Sequence, residues 1–298
     1  MVPDFLVVPD FFVIGAYRCG TTSLYRSLRQ HPQVFLPLEK EPNFFAVDGN
    51  PEAGAVLRSR STVTPSDYHA LYASASPGQK TGDISPEYLR NPRVASRLAE
   101  VAPRAPLVAV LRNPIERAWS DYLLHVRDGD EPCDLLRDAL AQQAQRQQVE
   151  HRGGHYLDSG FYATQLARYF ALFPRNQIQV HLFEELMQDR QTVLAQMFRH
   201  IGVDAAFVPE PEPAVNVSGI PDSKGLAWVL RARKVVRPLV NRGVIERARP
   251  AWERFLNRRL RRPALEQEDW DLLAGIFRDD VLRLGDLLNR DLSNWLVR

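Results

Sequence analysis

Cysteine is nearly absent from the 298-residue chain: Cys19 and Cys133 are the only two. They could form one disulfide at most, so no cysteine framework holds the fold, and a reducing compartment is the expectation. Long apolar runs are missing as well. No stretch approaches the roughly 20 consecutive apolar residues of a membrane-spanning helix. The opening residues, MVPDFLVVPDFFVIG, are interrupted by acids and prolines where a secretory leader would carry a basic start and an unbroken apolar core. The expected location is therefore cytoplasmic. Internal repeats and low-complexity tracts are lacking too, and the net charge of +2 says little by itself.

What is present is ordinary soluble-protein material, 45% hydrophobic and 25% charged residues. The length suits one large α/β domain with a sizeable core. Short β-branched or apolar runs at Phe11–Ile14, Leu107–Leu111 and Ile178–Leu182 predict strands set among helical patterns. That alternation predicts a parallel sheet flanked by helices. Helices are expected after Thr21, Pro114, Phe161 and Gln191, with Asn113 and Glu116 supplying a cap and a capping box around Pro114. Residues 49–65 read as a long polar loop, and the proline-rich stretch 203–223 as a linker or a loop wrapping the core. A basic helical region follows, and then a final amphipathic helix assigned to packing.

The charge is unevenly spread: between Lys224 and Arg262 stand 13 lysines and arginines against two acids, Glu246 and Glu253. This is either a solvated helical face or an electropositive rim for an anionic cofactor, an acidic substrate or an anionic membrane surface. Nucleic acid is not expected, because no recognition motif accompanies the charge.

The most informative stretch is FFVIGAYRCGTTSLYRSLRQHP, residues 11–32. A strand leads through Gly15, four residues and Gly20 into a helix, which is the frame that turns backbone N–H groups and a helix N-terminus toward a phosphate. Thr21, however, occupies the position of the lysine that a nucleoside-triphosphate loop requires. No acid for a magnesium ion is evident either, since the strand PLVAVL runs into Arg112. An arginine at a strand end suggests a second anion site. The alternative for Gly15 and Gly20 is a tight strand-to-helix turn without a ligand.

IGAYRCGTTSL resembles the 5'-phosphosulfate loop of sulfotransferases that use 3'-phosphoadenosine 5'-phosphosulfate (PAPS), particularly the heparan-sulfate and bacterial carbohydrate branch. LRNPIERAWSDY resembles the 3'-phosphate motif of the same family. KEPNFF, GDISPEYL, SGFYATQL with the following LFP, and the terminal LLNRDLSNW agree in the family's order. The resemblance implies a P-loop NTPase-like α/β fold in a single domain over 1–298, with an α/β core at 8–205 and a wrapping loop and basic helical part at 206–298.

The resemblance also implies a PAPS donor without a metal and in-line transfer of the sulfuryl group to an acceptor hydroxyl of a carbohydrate, lipid or secondary metabolite. Cys19, Gly20, Thr21, Thr22 and Ser23 would hold the 5'-phosphate, and Arg112 and Ser120, eight residues apart, the 3'-phosphate. Arg18 stands where the family has a loop lysine on the departing oxygen; a guanidinium also supplies charge stabilisation there. Glu41 matches the family's base, with Asn43 in place of a common histidine and His125 as the runner-up base. Asp83, Ser85 and Tyr88 are candidates for the acceptor wall. Ile84 lacks the cation many relatives have, for which Lys80 is a stand-in. Lys224 and Arg231 are candidates for a late clamp on the donor.

Three readings lie outside the resemblance or compete with it. His151 and His155 have metal-like spacing, but Gly153 and Gly154 between them disfavour a helix and make them loop histidines. A nucleotide-dependent kinase is disfavoured by Thr21, and a non-catalytic nucleotide-binding or membrane-associated protein is the other rival.

Overall fold

The computed structural model describes residues 8–47, 64–149, 155–211 and 218–298, with 224, 227, 231–250, 253–254 and 257 outside the description. Most of the 49–65 loop, His151, Lys224, Arg231 and much of the basic helical region therefore lie outside the described residues.

The chain order begins β1 Phe11–Gly15, α1 Thr21–Gln30, β2 Val34–Phe35, α2 Phe44–Val47, α3 Pro65–Ala70, β3 Lys80–Ile84, α4 Glu87–Arg90 and α5 Val94–Val101. It continues with β4 Leu107–Leu111, α6 Pro114–Asp128, α7 Leu136–Val149, α8 Tyr162–Phe170, β5 Ile178–Leu182, α9 Phe183–Gln188 and α10 Arg190–Ile201. After β6 Ile220–Pro221 and β7 Leu260–Arg261 comes α11 Gln267–Leu288. Strands β1 to β5 form one parallel sheet in the order β2-β3-β1-β4-β5, whereas β6 and β7 pair as a separate antiparallel ribbon.

Every residue of β1 and of β4 is buried. That is why both read as unbroken apolar runs: strands covered by helices on both faces have no polar side to alternate. The three predicted strands are present, and the sheet holds two more, β2, which is only two residues long, and β3, which lacks the apolar signal. β3 is KTGDI, polar and glycine-bearing, yet it lies directly beside β1 with Phe11 opposite Gly82. The Phe11 ring occupies the place where a side chain at 82 would sit, so the residue in this register must be glycine.

The strand order also places the cleft. From β1 the chain goes to one side of the sheet, through β2 and β3, and from β4 it goes to the other, to β5. The carboxyl ends of the neighbours β1 and β4 therefore open a crevice between diverging connections, where open α/β sheets take their ligands.

The helices start where the caps put them. Asn113 Oδ1 accepts from Ile115 N at 2.9 Å, with Pro114 at the first turn of α6. The reciprocal half of the expected capping box is replaced: Asn113 N donates to Glu184 Oε1 at 3.2 Å, and Glu116 instead accepts from Arg112. α8 has no cap of its own. Buried Asp280, on α11, accepts from Ala163 N at 2.8 Å and Thr164 N at 3.2 Å, so the last long helix supplies the carboxylate for the first turn of another.

α11 packs on α8 and α6 through Leu273, Phe277, Val281 and Leu284, the packing role expected of it. The continuous apolar core runs from Phe11 to Trp295, and a small second cluster gathers Leu226, Leu230 and Leu256 against Trp252 and Leu260.

Candidate functional site

β1 ends at Gly15 and α1 begins at Thr21, so the intervening five residues must reverse direction tightly. Gly20 does this with φ 80° at the N-cap, and the cap supplies no side-chain hydrogen bond to α1. The first-turn N–H groups and the positive end of the helix dipole consequently face the crevice. A side chain at 20 would also meet the Phe183 ring at 3.0 Å.

Arg18 holds a left-handed backbone at φ 65°, a conformation costing a non-glycine residue about 1–3 kcal/mol. Cys19 is wholly buried, its Sγ 3.8 Å from the Tyr162 hydroxyl, and burial pushes its thiol up to about 11. It fills space, and its backbone alone belongs to the loop. Thr21 is buried, while the Ser23 hydroxyl accepts from Arg190 at 2.8 Å, which anchors α1 to α10.

The second candidate anion element follows β4. Arg112 lies over the Phe183 ring, 4.9 Å from its centre, and donates to Glu116 at 2.8 Å. Ser120, two turns into α6, is buried. Its Oγ accepts from Arg18 Nε at 3.2 Å and Nη2 at 3.1 Å, and lies 3.2 Å from Ser218 Oγ. The sequence reading put Arg18 and Ser120 at opposite ends of a nucleotide, whereas the structure joins them directly.

Arg262 donates to the Ser218 carbonyl at 3.0 Å, and Trp119 Nε1 to the Pro263 carbonyl at 3.1 Å. The β6–β7 ribbon is thereby strapped across α6. Desolvation lowers the Arg18 guanidinium to about 10, with Asp121 opposing and Arg127 and Arg112 adding to the fall. Arg262 is also lowered, by desolvation and then by Arg112. Partly desolvated cations that disfavour one another's charge around buried hydroxyls form a receptor for a polyanion.

Glu41 lies in the loop after β2, also left-handed at φ 63°, and forms an ion pair with Lys40. Asn43 is a third left-handed residue, at φ 53°, and is 3% exposed. Its N–H donates to Ser85 Oγ at 3.1 Å, and Phe45 N–H to the Tyr88 hydroxyl at 3.4 Å.

Both hydroxyls turn their protons to Asp83: Ser85 Oγ reaches Oδ1 at 2.6 Å and Tyr88 reaches Oδ2 at 2.7 Å. Tyr68 donates to Oδ2 as well, at 2.7 Å. Asp83, Ser85 and Tyr88 are each 0% exposed, so they sit behind the loop instead of forming an open wall. Burial raises the Asp83 carboxyl to about 6 against the pull of these three hydrogen bonds.

The remaining candidates lie elsewhere. His125 is buried in α6, its Nδ1 2.9 Å from the Asp121 carbonyl and its ring against Tyr156. Lys80 does not stand in for a cation at Ile84, because it sits at the opposite end of β3, on Asp10 Oδ1 at 3.2 Å. His155 lies 3.5 Å from Asp158. Among the described residues no group of three or more His, Cys, Asp or Glu side chains is placed to hold a metal ion. No described helix is long and apolar enough to cross a membrane.

Sequence reasoning missed Phe183, Ser218 and Arg262. Phe183 carries no polar signal, and Arg262 was one arginine in a basic run.

The model of a family described as the sulfotransferase family matches residues 9–207. The crystal structure of a sulfotransferase from Alicyclobacillus acidocaldarius superposes with a TM-score of 0.74 at 28% identity, covering 97% of this chain and 99% of that one.

Among curated proteins, mouse bifunctional heparan sulfate N-deacetylase/N-sulfotransferase 4 is 25% identical over 207 residues, 66% of this chain and 22% of that protein. Human heparan sulfate glucosamine 3-O-sulfotransferase 3B1 is 24% identical over 254 residues, 85% of this chain and 60% of that protein. The chain thus spans about a fifth of the length of the first of these relatives.

Proposed function

The chain belongs to the sulfotransferase family, and from that premise we propose that it moves a sulfuryl group from PAPS to an acceptor hydroxyl or amine. The observation that carries the reading is the convergence of Arg18, Arg112 and Arg262 on the neighbourhood of Ser120, beside the open start of α1. A nucleotide phosphorylated at its 3' and 5' positions matches two such elements set side by side in the β1–β4 crevice.

The donor supplies an activated sulfur whose departing phosphate gains negative charge during transfer. The chain's residues meet that demand in kind. The N–H groups of the first turn of α1 and the hydroxyls of Thr21 and Thr22 face the 5' end. Arg112 and Ser120, strapped by Ser218 and Arg262, face the 3' end.

Arg18 supplies a cation held between the two, so that charge developing on the departing oxygen is stabilised without a proton transfer. Glu41 is the group that takes the acceptor's proton, since a carboxylate accepts from a hydroxyl that acidifies as it attacks. The kinase reading loses ground at Asp83. This acid, at the carboxyl end of a strand beside β1, commits both oxygens to Ser85, Tyr88 and Tyr68 and offers none to the cleft.

The relatives named for heparan sulfate make glycans the acceptor class to try first. The test is transfer of labelled sulfate from PAPS to pools of glycans, lipids and phenols, with products identified by mass. Labelled product and tight binding of adenosine 3',5'-bisphosphate are expected. ATP turnover with magnesium, together with no affinity for that bisphosphate, would replace the reading with a kinase.

A further inference from the structure

The Glu41 loop is held by an arrangement whose polarity depends on one buried charge. Left-handed backbone at Glu41 and Asn43 does not persist by itself; surrounding contacts must over-determine it. Two backbone N–H groups do this, Asn43 N on Ser85 Oγ at 3.1 Å and Phe45 N on the Tyr88 hydroxyl at 3.4 Å.

A hydroxyl oxygen accepts from an N–H only if its own proton points elsewhere. Here both protons are directed away from the loop, into the Asp83 carboxylate at 2.6 and 2.7 Å. Tyr68 adds a third donor to Asp83 at 2.7 Å, and Tyr72 backs Tyr68 and the Gly82 carbonyl, each at 3.4 Å. The groups facing the carboxylate are thus Ser85 from the end of β3, Tyr88 from α4, and Tyr68 from α3 with Tyr72 just beyond it.

An acceptor-only group at the centre fixes the direction of every hydrogen bond around it. An amide of the same shape would not. Its NH₂ half must donate, which obliges Ser85 or Tyr88 to turn its proton toward a backbone N–H that is also a donor.

We propose that Asp83 is a positioning residue for the proton-accepting Glu41: its carboxylate aims the Ser85 and Tyr88 hydroxyls so that they hold the left-handed loop on which Glu41 stands. This rests on the reading of Glu41 as the base, and the experiment separates the two. Asp83 touches neither the acceptor nor the donor; it acts two hydrogen bonds away.

The test is Asp83→Asn, Ser85→Ala, Glu41→Gln and the Asp83→Asn/Glu41→Gln pair, read by turnover, by adenosine 3',5'-bisphosphate binding and by amide hydrogen exchange over residues 41–45. The expected result for Asp83→Asn is roughly 10- to 100-fold lower turnover, unchanged bisphosphate affinity, and faster exchange confined to 41–45. Ser85→Ala, which adds no new donor and keeps the protein foldable should the asparagine variant collapse, should show the same pattern with a smaller fall, about 3- to 10-fold. In the Glu41→Gln background Asp83→Asn should cost no further turnover, because the two act as one unit.

Unchanged exchange at 41–45 in both Asp83→Asn and Ser85→Ala would overturn the proposal. An Asp83→Asn loss of the same factor with or without Glu41 would also overturn it. If Glu41→Gln alone turns over like the wild type, the base assignment fails, and with it the link from Asp83 to Glu41.

Discussion

Replacing Arg18 with alanine distinguishes two uses of one guanidinium. The side chain comes from the 5' loop but spends two N–H groups on Ser120, the residue of the 3' motif, at 3.2 and 3.1 Å. Desolvation brings the group down to about 10. At an assay pH near 7 it is nonetheless deprotonated in only about one molecule in a thousand, so the variant removes a whole charge. If that charge meets the departing oxygen, its loss should resemble removal of an oxyanion donor, about 10²- to 10³-fold in kcat or roughly 3–4 kcal/mol. The affinity for adenosine 3',5'-bisphosphate should change far less.

The assay is single-turnover transfer under saturating donor, which isolates the chemical step from nucleotide release. Arg18→Lys should recover part of the rate, since a point charge remains, but not all of it, because an ammonium cannot reproduce the planar two-nitrogen contact. A variant with near wild-type kcat and a bisphosphate affinity that falls much more than its affinity for adenosine 5'-monophosphate would refute the reasoning. Arg18 would then be a 3'-phosphate ligand acting beside Ser120.

Other consequences are open to direct measurement. Arg112→Ala and Ser120→Ala should each weaken adenosine 3',5'-bisphosphate by roughly 10- to 100-fold, the worth of a hydrogen bond to a charged group, and leave adenosine 5'-monophosphate nearly unchanged in calorimetric titration. Gly20→Ala forces a Cβ into φ 80° and against Phe183, so the urea midpoint should fall by the equivalent of about 1–2 kcal/mol, with donor affinity falling alongside. Asp280→Ala removes the cap of α8 from outside the helix and should lower stability by about 1–2 kcal/mol in a thermal melt without altering bisphosphate binding. With burial holding the Cys19 thiol up to about 11, a thiol reagent at pH 8 should label Cys133 and spare Cys19 until denaturant is added. Any Cys19 labelling of the folded protein should rise with pH as the thiolate fraction grows.

The parts legible in the sequence were those whose signal is local. β1 and β4 read directly, because strands covered on both faces are continuous apolar runs, and the edge strand β5, IQVHL, reads from its Ile, Val and Leu at alternate positions. The two glycines of the turn between β1 and α1, and the eight-residue step from Arg112 at the end of β4 to Ser120 two turns into α6, are equally local. β3 was invisible for the opposite reason: KTGDI derives its place from Phe11 lying across Gly82, which only the assembled sheet shows.

At the site, residues adjacent in sequence to a motif were named, and residues brought in from afar were not. Ser218 reaches Ser120 from 98 positions away, and Asn113 N–H finds Glu184 where a capping box had pointed to Glu116. Asp83, Ser85 and Tyr88 were expected on the acceptor side because they lie within GDISPEYL, a stretch that resembles the family. Their burial beneath the Glu41 loop follows from tyrosines of α3 and α4 closing over the strand end.

The segment matched by the family model stops at residue 207, yet Ser218 and Arg262 lie beyond it, just before β6 and just after β7 of the ribbon. The loop between β1 and α1 is thus made from one stretch of polypeptide and the ribbon strapped across α6 from another. If the proposed donor site is right, substitutions in the ribbon should alter how long spent nucleotide stays bound while leaving the transfer step itself untouched, so turnover and chemistry would diverge by separate routes. A ribosome must also finish β7 before the ribbon can close on α6, which makes this side of the β1–β4 crevice among the last features a growing chain completes.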